Sequence, residues 1–147
     1  MPNGNVKTDA GLKQRLASLY AYLSKHLGIK EIPRVIFRNS QENADDKIYG
    51  LTGHYNPENK TIVIYTTDRM DNEILRSFAH ECVHAFQDQK GTLNSNDPQG
   101  EHYAQENPQL RRCEAEAYML SGLLFRDWSD LNRYGPPTNT PQLLKLA

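Results

Sequence analysis

His80-Glu81-Cys82-Val83-His84 sets two imidazoles four residues apart, with a carboxylate directly after the first. On a helix, positions four apart stand one turn above each other on the same face, so both rings can reach a single ion. Glu81 lies about 100° round such a helix from His80, which brings its carboxylate beside the ion and within reach of an attacking water. The chemistry these residues suggest is zinc-assisted hydrolysis, with Glu81 in the general-base position of a metallopeptidase. A short motif of this kind also arises by accident on solvated helices, so its surroundings carry much of the weight.

Those surroundings predict a helix from Asn72 to Lys90. Asp71 or Asn72 can cap its start, Glu73 suits its first turn, and Gly91 follows Lys90 where a left-handed stop is expected. Ile74, Leu75, Phe78, Cys82, Val83, Ala85 and Phe86 cover much of its circumference, which predicts burial on several sides. A catalytic zinc takes three protein ligands and keeps one position open. Two residues compete for the third place. Glu114 falls in Leu110-Arg111-Arg112-Cys113-Glu114-Ala115-Glu116-Ala117-Tyr118, a second expected helix with Asn107 as cap and Pro108 as its first residue. His102 falls in a stretch of Gly, Asn, Asp and Pro that reads as loop. A helix is the more rigid mount, which favours Glu114 without removing His102.

The pairing of HExxH with a later helix carrying Glu114-Ala115-Glu116-Ala117-Tyr118 resembles the gluzincin zinc peptidases, and His84-Ala85-Phe86-Gln87 is similar to their compact members. The resemblance runs from about Tyr49 to Leu124, and only its HExxH portion is highly specific. It implies a zincin-like α+β fold, one zinc ion on His80, His84 and Glu114, and hydrolysis of a peptide or protein substrate. Glu116 lies about 200° from Glu114 round the helix and is not expected at the same ion. Many gluzincins carry an aspartate four residues after the glutamate ligand, where it orients the first histidine. This chain has Tyr118 there, so the support of His80 departs from the pattern.

The remaining elements must position that pair of helices. Arg34 to Phe37 reads as a short strand, and Tyr49 to Tyr55 and Thr61 to Tyr65 read as a hairpin around Asn56-Pro57-Glu58-Asn59, whose residues suit a type I turn. The β-favouring run from Thr61 to Tyr65 predicts a strand buried on both faces. Leu12, Leu16, Leu19, Tyr20, Leu23 and Leu27 recur at helical spacing between Thr8 as cap and Gly28 as stop, and predict an amino-terminal helix packed on the unit. The expected fold class is therefore α+β, a small mixed or antiparallel sheet against the active-site helix, with a ligand-bearing helix and an amino-terminal helix. Residues 1–134 form one expected domain. Residues 135–147, rich in Pro and Asn, read as an extended arm that could dock on a larger assembly.

A length of 147 residues with 37% hydrophobic residues fits a single domain, and no apolar run is long enough to span a membrane. The first residues lack a signal-peptide pattern, which points to the cytoplasm. A net charge of −1 argues against a nucleic-acid partner. Cys82 and Cys113 are expected to be reduced core residues. For the oxyanion of the reaction the candidates are Tyr118, His102 and Tyr103, and the stretch from Gly91 to Asn107 is the expected lid or specificity element. Two alternatives share the motif: a catalytically silent binding or assembly protein, and a zinc amidase acting on cell-wall peptide.

Overall fold

The computed structural model describes residues 10–39, 41, 52–93 and 108–135. Among these residues the chain forms α1 (Ala10–Leu27), β1 (Arg34–Arg38), β2 (Gly53–Asn56), β3 (Thr61–Tyr65), α2 (Asp71–Gln89) and α3 (Pro108–Tyr134). This is a small α+β fold with three helices and one mixed sheet, in the order β1-β3-β2. Thr8, Asn107, the carboxy-terminal arm, and the stretch holding His102 and Tyr103 lie outside the described residues.

The sheet is built round its most apolar strand. β3 pairs in parallel with β1, from Arg34↔Thr61 to Arg38↔Tyr65, and antiparallel with β2, from Gly53↔Ile64 to Asn56↔Thr61. Thr61 to Ile64 are all buried, as a β-branched run flanked on both sides allows. The expected hairpin forms, closed by residues 57–60. Asn56 Oδ1 accepts the Glu58 N–H at 2.9 Å, and Lys60 takes the left-handed turn conformation at φ 56°. The expected β2 reaches back to Tyr49; the described strand starts at Gly53, and 49–51 lie outside the described residues.

One face of the sheet meets α2, which is the centre of the core. Ile74, Leu75, Phe78, Ala79, Cys82 and Ala85 pack among Ile62 and Ile64, the leucines of α1 (Leu12, Leu16, Leu19, Leu23), and Leu110, Cys113, Phe125 and Trp128 of α3. The burial of α2 on several sides follows from having the sheet, α1 and α3 as partners. Polar ties fix the layers. Asp88 accepts from the Tyr55 hydroxyl and from Lys60 Nζ, each at 2.7 Å, locking the hairpin to the end of α2. Trp128 Nε1–H donates to Ser18 Oγ at 3.0 Å, joining α3 to α1. Cys82 and Cys113 are free and buried, in keeping with the core role expected of them.

The start of α2 corrects the sequence reading. Neither Asp71 nor Asn72 caps it; Met70 does, extended at φ −80° and ψ 156°, and its carbonyl accepts the Ile74 N–H at 3.0 Å. Methionine offers no capping oxygen. The helix begins there because Ile74 and Leu75, fully buried, must already be helical to enter the core, and Glu73 partly compensates by accepting the Met70 N–H at 3.5 Å. The end of α2 is as expected. Gly91 stands at φ 82°, with Gly91 N–H to Asp88 O at 3.1 Å and Thr92 N–H to Gln87 O at 2.9 Å, the paired bonds of a Schellman stop.

No described helix is long and apolar enough to cross a membrane.

Candidate metal centre

Packing α3 along α2 brings Glu114 onto the two histidines. Its Oε1 lies 2.9 Å from His80 Nε2 and its Oε2 lies 3.1 Å from His84 Nε2. The ligand atoms of the three residues fall within 4.8 Å of one another, a group that could hold a metal ion. Two imidazole nitrogens and a carboxylate are a donor set that divalent transition metals accept, and the three donors converge. His84 and Glu114 are buried and His80 nearly so, so the cluster opens toward solvent on the His80 side. His102, the alternative third ligand, and Tyr103 lie outside the described residues.

Electrostatic contacts hold the three side chains together. Burial alone would lower the His84 pKa, but the hydrogen bond to Glu114 and the neighbouring Glu81 and Glu114 charges overcome it and lift His84 to about 9. Burial would raise Glu114, yet its contacts with His80 and His84 bring it down to about 2. The contact between His84 and Glu114 thus favours a protonated imidazole beside an ionised carboxylate.

Glu81 sits one step round α2 and is buried, at 5% exposure. Burial raises its pKa, and Glu114 adds to the rise; the two histidines and the backbone N–H of Tyr55 oppose it. The Tyr55 contact ties Glu81 to β2, an outer strand of the described sheet. Gly53 on the same strand lets β2 lie close against β3, with Glu81 at ordinary contact distance. A Cβ there would stand 2.8 Å from the Val63 carbonyl oxygen, 2.9 Å from Ile64 Cδ1 and 3.5 Å from Glu81 Cγ.

Tyr118 stands against His80 with ring centroids 4.4 Å apart and an interplanar angle of 55°. Among the described residues its contact to His80 is ring packing, and the buried His80 Nδ1 has no hydrogen-bond partner. His84 is supported differently: its Nδ1 lies 2.8 Å from Gln87 Oε1. Gln87 Nε2 reaches Cys113 O at 2.9 Å and Glu116 Oε1 at 2.8 Å. Glu116 is not one of the three clustered donors, in keeping with its angle on the helix, and also pairs with Lys90 at 3.7 Å.

Gln87 and Gly53 are the residues the sequence reading missed. Gln87 is three residues beyond His84, a spacing that puts side chains side by side on a helix, and that was its available signal. A glycine inside a strand marks a close backbone approach, which was the signal for Gly53, shared in that run with Gly50. Compared with protein-family models, with curated proteins and with solved structures, the chain finds no match.

Proposed function

We propose that this chain is a zinc-dependent metallopeptidase of the gluzincin type, built on a zincin-like domain, that hydrolyses amide bonds of a peptide or protein. The observation that carries the reading is the convergence of His80, His84 and Glu114 from two helices, with the buried carboxyl of Glu81 next to them. His80 and His84 Nε2 and a Glu114 oxygen would hold the zinc. Bound there, the ion supplies Lewis acidity toward the scissile carbonyl and the attacking water.

The chain's own residues do the rest. Glu81 takes the proton of the attacking water and passes it to the departing amine; a carboxyl raised by burial is a stronger base than one in water. Tyr55 N–H, donating to that carboxylate from β2, helps fix its position beside the histidines. Tyr118, 54% exposed and packed on His80, lies at the open side of the cluster, and its proposed part is to donate toward the developing oxyanion.

The test is zinc content by elemental analysis together with turnover of a peptide library, for wild type, Glu81→Gln, Glu114→Gln and His102→Ala. The expected pattern is one zinc in wild type, zinc kept with turnover down about 10²–10⁴-fold in Glu81→Gln, and zinc lost in Glu114→Gln but not in His102→Ala. Zinc without turnover of any peptide in wild type supports the catalytically silent binding protein instead; no zinc in wild type ends the peptidase reading and leaves a binding protein.

A further inference from the structure

The two histidines of the cluster are supported unequally, and the difference lies in one fully buried amide. Gln87 Oε1 and Nε2 are almost the same size, so an amide in a neutral setting could turn over and present either atom to His84. Here it cannot. Its Nε2 faces two acceptors at once, the Cys113 carbonyl at 2.9 Å and a Glu116 carboxylate oxygen at 2.8 Å. Turning the amide would set its oxygen against both acceptors, the Cys113 carbonyl and the half-buried Glu116 carboxylate, and forfeit both donated bonds. The oxygen must therefore face His84 Nδ1, 2.8 Å away, and an oxygen there accepts only from an Nδ1–H. A histidine protonated at Nδ1 has its Nε2 available for an ion, and Nε2 is the atom turned toward Glu114.

We infer that Gln87 is a positioning residue for metal binding: pinned by Cys113 and Glu116 of α3, it locks His84 in the Nδ1–H tautomer and so aims Nε2 at the ion. The inference rests on the metal-centre reading above. It also gives Glu116 a task, holding the amide that orients a ligand. His80, whose buried Nδ1 has no partner among the described residues, carries no such lock, which makes His84 the anchor of the pair. Because both acceptors belong to α3, the helix that contributes Glu114 also sets the state of His84.

The experiment measures zinc affinity by competition with a chromophoric chelator, for wild type, Gln87→Met and the exchanged pair Gln87→Glu with Glu116→Gln. Methionine matches glutamine in length and removes both its acceptor and its donors. The exchanged pair restores an acceptor for the His84 N–H and a donor from position 116 to hold it, while the Cys113 carbonyl loses its donor and faces a carboxylate oxygen. The expected result is a loss of about 10–100-fold in Gln87→Met, part of it regained in the exchanged pair. Long-range proton–nitrogen NMR of zinc-loaded wild type reads the tautomer itself, with the His84 proton expected on Nδ1. This spectrum decides the matter if Gln87→Met does not fold. An affinity for Gln87→Met within about threefold of wild type, an exchanged pair that folds yet stays as weak as Gln87→Met, or a His84 proton on Nε2 overturns the inference and leaves the metal centre standing. Wild type that takes up no zinc removes the centre itself, a separate outcome.

Discussion

Glu114 bridges two imidazoles, and the bridge has opposite consequences for its own proton and for that of His84. Glu114, drawn down to about 2, contributes stability that is complete above its ordinary value of 4.5 and is lost as pH falls through 2. His84, lifted to about 9, contributes stability that is complete below its ordinary value of 6.5 and is lost as pH rises through 9. Both contributions are full only between 4.5 and 6.5, so the metal-free protein is expected to reach its highest Tm in that window. Thermal unfolding of metal-free samples across the pH range checks this, with Glu114→Gln as the comparison; a Glu114→Gln profile parallel to wild type would sink the bridge. Metal uptake must expel the His84 proton, so zinc affinity should strengthen as pH rises toward 9, with about one proton released per ion. Calorimetry in buffers of different ionisation enthalpy counts that proton, and a count near zero at pH 7 contradicts the His84 assignment.

At the scale of elements, two glycines show how differently backbone position can matter. Gly91 ends α2 at φ 82° with open space around it, so an added Cβ meets no neighbour and Gly91→Ala costs only the left-handed strain, about 1–2 kcal/mol. Gly53 lies in ordinary strand backbone, and its added Cβ would press on the Val63 carbonyl and on Ile64. Gly53→Ala is expected to cost about 1–3 kcal/mol as overpacking against β3, and to shift β2 together with the Tyr55 N–H that Glu81 accepts. Urea unfolding gives both costs. The distinguishing readout is turnover at saturating zinc, expected to fall in Gly53→Ala and to hold in Gly91→Ala; equal turnover in the two would show that β2 does not set Glu81. The elements themselves were largely legible, because α1 and α2 repeat their apolar residues at helical spacing and Thr61 to Ile64 are uniformly β-favouring. The start of α2 was not, since burial of Ile74 and Leu75, a tertiary demand, outranked the local capping preference of Asp71 and Asn72. Gln87 was hidden for a similar reason, as its two acceptors come from a helix more than twenty residues further along the chain.

For the whole molecule, the cluster is a clasp between segments that are far apart in sequence. α2 provides two donors and α3 the third, while α3 is also held to α1 through Trp128 and Ser18. A ligand that binds only the folded arrangement stabilises it by mass action, about 2.7 kcal/mol at a hundred times Kd, with a reduction for any binding by histidines and cysteines of the unfolded chain. For a chain of this size that corresponds to a rise in Tm of about 5–10 °C. Trp128, the single tryptophan and 4% exposed, reports the opening of the α1–α3 joint by its fluorescence. Zinc is therefore expected to delay the Trp128 transition in wild type and in His102→Ala, and to leave Glu114→Gln unmoved. A delay that survives in Glu114→Gln and vanishes in His102→Ala would transfer the third donor to His102. The clasp would then run from α2 to the segment before α3, and Glu114 would remain as the partner that holds the histidines when the ion is gone.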